Sequence, residues 1–455
     1  MQHELLRAPL LCGDVTDSIA DDRGPGINRR GNAEVRAGLL WAVLVAAGVA
    51  LAAISVHQGW RLGVGAAPFT GTYDLKIDAG TILAPIVAAV VLAGVRRGLT
   101  DTLPWRWLLL AGYVAALAWS LALAAVDGGN GLSQSVTHDY WPDVPAVDSH
   151  PGGFLRDFVA NADSYTTATA THPPGPVLLL WLVDRAGITA PAAIGFVIAA
   201  LGCLTVPLVA VAVRSLCSDL SARRVVPILA LAPYAIWVGV SMEGVVSALG
   251  AACLAVGVVG SEPGRKPVWA AGAGLLLGVA ALFDYSVAWL GLSVLAVYFV
   301  RRRPLLNVIS AVASLAPLLL MQIWGFVWPS GLSSARQRSF HGVGGDRSWL
   351  LWIFLDILLL LIACGPAVVL AFQRFRMTPG WPFLIGSVSA VAFGLAFGLS
   401  RGEVEGVWLP YFPWLLVPAV APEIRGQPAG PVPLILVAIG ALTAVVVEAI
   451  LRSPW

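Results

Sequence analysis

Charge is what this chain has least of. Of its 455 residues only 12% are Asp, Glu, Lys or Arg, against about 25% in a typical soluble domain. Hydrophobic residues make up 58% and mean hydropathy is +0.81, so the main solvent of this chain is lipid. Lysine is nearly missing, present only as Lys76 and Lys266. The net charge of +2 is small and dispersed, which leaves no cationic surface for nucleic acid. Five cysteines, Cys12, Cys203, Cys217, Cys253 and Cys364, fall without a CxxC spacing, so neither a disulfide framework nor a zinc knuckle is expected. A glycine-rich phosphate loop is also missing, which disfavours a nucleotide as substrate.

What the chain does have is apolar runs. A bilayer core of about 30 Å takes about 20 apolar residues per helix. Such runs lie at 38–56, 79–95, 105–126, 190–213, 224–242, 243–260, 267–283, 285–300, 304–327, 349–372, 380–399, 407–422 and 430–451. They predict an all-α, polytopic membrane bundle of about thirteen transmembrane helices over 37–455. Residues 1–36 are polar and read as a disordered cytoplasmic tail. The first run is too long for a signal-peptide core and is expected to stay as an anchor.

Orientation follows from arginines beside the helix ends. Arg96 and Arg97, Arg214 with Arg223 and Arg224, Arg265 with Lys266, Arg301 to Arg303, Arg374 with Arg376, and Arg425 share one side if the N-terminus is cytoplasmic and the protein sits in the plasma membrane. This topology requires residues 174–187 to form an amphipathic helix on the outer surface, with Val177, Leu178 and Trp181 toward lipid and Asp184 and Arg185 toward water. The outer face then carries two large loops, 127–173 and 328–348, and any chemistry belongs there. Tryptophans such as Trp60, Trp105, Trp107, Trp141, Trp408 and Trp414 are expected to form an interfacial belt.

The first outer loop opens at Asp127, continues through Thr137-His138-Asp139-Tyr140-Trp141-Pro142-Asp143 and closes with Thr171-His172-Pro173-Pro174-Gly175-Pro176. A carboxylate at the membrane surface can take a proton from a hydroxyl or hold a divalent metal that screens phosphate charge. A histidine held by a Pro-Pro turn can meet a phosphate or a carboxylate. The plainer alternative makes Asp127 a solvated cap and His172 a loop hydrogen-bond donor. The late hairpin holds Arg401, Glu403 and Glu405, and the second loop holds Arg336, Arg338, His341 and Arg347. Arginines on the outer side suggest an anionic partner such as a lipid phosphate. Asp356, inside an apolar run, is expected to face the bundle interior in a structural role, and Glu448 to snorkel from a helix end.

Segment 127–260 resembles the front half of the GT-C superfamily of membrane glycosyltransferases, which includes the protein O-mannosyltransferases and the lipid A aminoarabinose transferase. The resemblance lies in the acidic start of the loop, the His172-Pro173-Pro174 that runs into Val177-Leu178-Leu179-Leu180-Trp181-Leu182, the basic turn Arg214 to Arg224, and a helix pair with an acidic tip at Glu243. Three features depart from that pattern: the loop follows the third span, not the first, no Asp-Asp or Asp-Glu pair follows Asp127, and Glu243 stands where Asp is usual. The Gly402-Glu403-Val404-Glu405 stretch is similar to one in actinobacterial membrane proteins of this type. The resemblance implies a GT-C-like fold with an outer interfacial helix and a polyprenyl-phosphate-sugar donor of the mannose or arabinose class. The acceptor would be an envelope glycan, lipid or protein. It also implies a catalytic base at Asp127 or Asp139, with His172, Glu243, Arg336, Arg338, Arg401, Glu403 and Glu405 around the substrates. A non-catalytic transporter or scaffold for envelope lipids and glycans is the other reading. The two separate on whether the outer acids, His172 and the outer arginines meet at a single cavity.

Overall fold

The computed structural model describes residues 25–453, except 61, 149, 342–344, 346 and 421–429. Arg425 therefore lies outside the described residues. The described residues are mostly helical, with almost no strand. Its main helices are α1 (Pro25–His57), α2 (Leu83–Arg96), α3 (Trp105–Ala124), α4 (Gly175–Arg185), α5 (Pro191–Gly202), α6 (Thr205–Leu216), α7 (Asp219–Ala230) and α8 (Met242–Gly260). They continue with α9 (Val268–Ala280), α10 (Leu290–Val300), α11 (Leu305–Ile323), α12 (Trp328–His341), α13 (Trp349–Cys364), α14 (Ala367–Arg374), α15 (Trp381–Phe397) and α16 (Leu434–Ile450). A short antiparallel pairing of Thr72–Tyr73 with Leu451–Arg452 closes one end. Helix α1 starts at Pro25, inside the segment read as a tail, because Pro is pre-set for a first helical turn.

Lipid as solvent shows in what the helices expose. On α11, Val308, Val312 and Ile323 are 60%, 65% and 79% exposed, a pattern stable only where apolar surface meets hydrocarbon. By length and composition, five stretches among the described residues can cross a membrane, or six if the bent pair α13 and α14 counts as one. Each expected apolar run contains helix, but several runs are broken. Pro233 lacks an N–H and ends the helical path after α7, leaving the short helix Ala235–Val238 beyond it. Between α13 and α14 the axis turns by 102° at Gly365, whose φ of +66° suits only glycine. A Cβ there would come within 3.1 Å of Pro233, so the two breaks pack on each other. Run 407–422 yields only the short helix Phe412–Leu416 and a turn at Val417–Ala419, since Pro410, Pro413 and Pro418 interrupt the backbone ladder.

Close packing uses small residues. Gly274 and Gly278 bring α9 onto α11, where a Cβ at Gly274 would lie 2.0 Å from the Ser310 carbonyl oxygen, the approach that a Gly-x-x-x-Gly spacing allows in lipid. The core takes large rings that were expected at the interface: Trp408 and Trp414 are 2% and 0% exposed. Aromatic breadth fills space left by the proline-broken segment, while Trp60 and Trp107 remain outside.

The basic turns collect at one end. Arg223 donates to the Leu103 carbonyl at 2.7 Å and Arg224 faces Asp101. Arg301 donates to the Ser215 carbonyl, Arg303 to that of Glu262, and Arg374 to that of Ala419. The opposite end holds the described residues of segments 127–173, 325–347 and 398–411. If the arginine end is cytoplasmic, as the positive-inside tendency requires, an impermeant thiol reagent applied outside should label a His150→Cys variant and miss Arg302→Cys, both in a background free of other cysteines. The reverse pattern would invert the topology.

Segment 127–173 is a packed set of short helices, among them Gln134–His138, Pro151–Asp157 and Thr167–Thr171. They enclose a second apolar core of Val147, Phe154, Leu155 and Phe158. Helix α4 completes that core, so Val177 is fully buried against it and does not face lipid. Leu182 takes the outward position instead. The expected face is rotated because the 127–173 helices cover α4, and no sequence period records which neighbour covers a helix.

Candidate functional site

At the loop-bearing end a cavity of about 900 Å³ opens among segments from across the chain. His172 lines it from the end of helix Thr167–Thr171, Asp284 and Tyr285 from the α9–α10 hairpin, Arg338 from α12, and Arg401 and Glu403 from the turn after α15. Arg347 and Tyr411 complete the polar wall, while Trp289, Phe393 and Trp408 supply an apolar one.

His172 is fixed by the Pro173-Pro174 turn and by its Nδ1–H, which donates to the Ala168 carbonyl at 2.8 Å. A carbonyl can only accept, so the neutral ring keeps its free lone pair on Nε2. That atom lies 3.7 Å from Glu243 Oε1, in the first turn of α8, where a carboxylate also suits the helix N-terminus. Tyr140 stands edge-on to the imidazole with ring centres 5.9 Å apart. Asp139 adjoins the same group. Burial, and then the nearby Glu243 charge, raise its carboxyl pKa to about 7, while His172 and His138 pull it down. Asp139, His172 and Glu243 thus form one electrostatically coupled group, of which only His172 lines the cavity.

Asp127 is placed elsewhere. Its Oδ1 accepts from Lys76 Nζ at 2.7 Å, and Lys76 also pairs with Glu448 at 3.3 Å. Glu448 therefore does not snorkel. Lys76 and Glu448 are both buried, because the Thr72–Tyr73 pairing with Leu451–Arg452 carries both chain segments to one spot.

The arginines differ among themselves. Arg338 pairs with Asp163 and, chiefly through that hydrogen bond, holds the Asp163 carboxyl below its usual range. Arg336 is exposed on α12 and is not among the cavity-lining residues. Only the backbone of His341 is described. Arg347 is buried, donates to the carbonyls of Gly63 (2.9 Å) and Arg401, lies 3.6 Å from Glu403 and covers the Trp352 ring. Arg401 donates back to the Arg347 carbonyl at 2.9 Å, so the two arginines strap the cavity rim together. Glu405 turns inward, 1% exposed, and burial raises its pKa to about 8. Asp356 faces the interior as expected, accepting from the Gly402 N–H at 2.9 Å.

Two contributors carry weight beyond what the sequence suggested. Asp284, 5% exposed, accepts from the Ser286 N–H and lines the cavity. Tyr411 braces that hairpin by donating to the Ser286 carbonyl at 2.6 Å. The available signal was the one that singled out Glu243: an acid at the tip of a hairpin between two apolar runs. Among the described residues no group of three or more His, Cys, Asp or Glu side chains is arranged to hold a metal ion.

No family model and no curated protein matches this chain. Among solved structures it is similar to ArnT from Cupriavidus metallidurans in the apo state, with a TM-score of 0.40 and 17% identity. It is also similar to the same protein bound to undecaprenyl phosphate, with a TM-score of 0.44 and 18% identity. Each likeness covers 67% of this chain and 59% of the other, so the chain spans less than two thirds of the ArnT length.

Proposed function

We propose that this protein is an inverting membrane glycosyltransferase that moves a sugar of the mannose or arabinose class from a polyprenyl-phosphate donor to an envelope acceptor on the outer face. One observation carries the reading: His172, Asp284, Arg338, Arg347, Arg401 and Glu403, drawn from four distant segments, line a single cavity. A scaffold has no need to gather them. The donor phosphate is an anion, and the arginine rim offers it charge-assisted hydrogen bonds. The acceptor hydroxyl gives its proton to the Asp139–His172–Glu243 group as its oxygen attacks the anomeric carbon, and the lipid phosphate leaves from the opposite face against the arginines. A carboxyl poised near 7 suits that proton transfer, while Asp127 is occupied by its ion pair with Lys76. Asp284 supports a second assignment of the base, because it faces the cavity directly.

Membranes containing the protein should transfer labelled mannose or arabinose from the corresponding polyprenyl phosphate to endogenous acceptor. No transfer of either sugar would return the reading to a transporter or scaffold. Arg338→Ala should raise the KM for donor more than it lowers kcat, since it removes a contact made in ground and transition states alike. A fall in kcat alone would take Arg338 out of donor binding.

A further inference from the structure

Away from the catalytic cavity, α2, α3 and α7 enclose a groove of about 410 Å³ whose walls are almost wholly apolar. Ile86, Val90 and Val95 form one side, Ala111 and Ala115 the other, and Val226 the floor. Gly94 and the alanines leave the channel open, because their side chains are too small to fill it. We propose that this groove seats one acyl chain of an anionic phospholipid, with the lipid phosphate held at the arginine end of the bundle.

Length, position and charge agree on that occupant. From Ile86 to Val95 the groove runs about 14 Å along α2 at 1.5 Å per residue, close to half of a hydrocarbon core of about 30 Å. It is therefore as long as one leaflet, and its lower lining residues, Leu99, Thr100 and Leu103, place its mouth at the basic turns. Segments 96–106 and 214–224 hold six arginines against two aspartates. Asp219 is taken by Arg214 and Arg223, and Asp101 by Arg224. Arg96 and Arg97 are exposed at the end of α2, and no acidic side chain among the described residues pairs with them. Basic residues at the mouth of an inter-helix pocket recognise lipid phosphate, and a zwitterionic lipid would gain little there.

The test uses full-length protein, stripped of lipid in detergent and titrated with dioleoyl phosphatidylglycerol or dioleoyl phosphatidylcholine, with bound lipid counted by native mass spectrometry. One phosphatidylglycerol should be retained about tenfold more tightly than phosphatidylcholine. The preference should vanish in Arg96→Gln/Arg97→Gln. Ala111→Phe, which projects into the groove, should weaken both lipids with the arginines intact. Ala115→Leu serves the same purpose should Ala111→Phe not fold. Soluble glycerol 3-phosphate should not displace the bound lipid, since it lacks the chain. Equal retention of the two lipids by the unaltered protein, unchanged retention in the folded groove variant, or displacement by glycerol phosphate would overturn the proposal.

Discussion

Asp139→Asn should lower sugar transfer by about 10²–10⁴-fold, the usual contribution of a general base, with donor binding and protein level unchanged. The substitution keeps size and hydrogen-bonding capacity but removes the proton-accepting oxygen, so the loss should fall on kcat. The unaltered protein should also show a pH dependence. Below about 7 the Asp139 carboxyl is protonated and has no lone pair in ionised form to offer, so transfer should rise with pH through that region. The limb should be missing from the residual activity of the variant. Asp284→Asn belongs in the same experiment. If it abolishes transfer and Asp139→Asn does not, the base lies in the α9–α10 hairpin.

Lys76→Met should be the most destabilising single change at the loop-bearing end. Lys76 is held between Asp127 at 2.7 Å and Glu448 at 3.3 Å, with side-chain exposures of 7%, 26% and 10% for the three residues. Removing the cation leaves two carboxylates facing each other with little water, and breaking such a buried pair costs about 3–5 kcal/mol. Unfolding of purified protein in detergent would read this as a large drop in midpoint. Lys76→Met/Glu448→Gln should recover much of it, because one of the uncompensated charges is gone. Asp127→Asn should cost less, as the amide can still accept from the lysine. If Asp127→Asn instead eliminates transfer at unchanged stability, the base is Asp127 and the ion pair is part of the active site.

The bundle itself was legible in the residues. Apolar runs near 20 residues long, arginines at alternate run ends and polar stretches between them depend only on local sequence and on the thickness of a bilayer. The helical content and the gathering of basic turns at one end follow from those local rules. The local restraint on His172 was legible too, since a Pro-Pro turn follows it in the sequence.

Tertiary structure decided which of the candidate groups meet. Asp127 and Asp139 are equally plausible in the sequence, yet one finds Lys76, a partner from before the second helix, and the other finds Glu243, more than a hundred residues later. Arg336 and Arg338 are two apart on one helix and point different ways, because a turn of 3.6 residues puts neighbours two apart on nearly opposite faces. Glu403, at a left-handed φ of +63° just before the short helix Val404–Val407, reaches the cavity while Glu405 within that helix turns to the core, and Val177 faces inward because helices that precede it in the chain cover it. Each of these outcomes depends on contacts between residues far apart in the chain. Composition, spacing and hydropathy carry no record of them, whereas packing in three dimensions fixes them through close approach, burial and charge pairing.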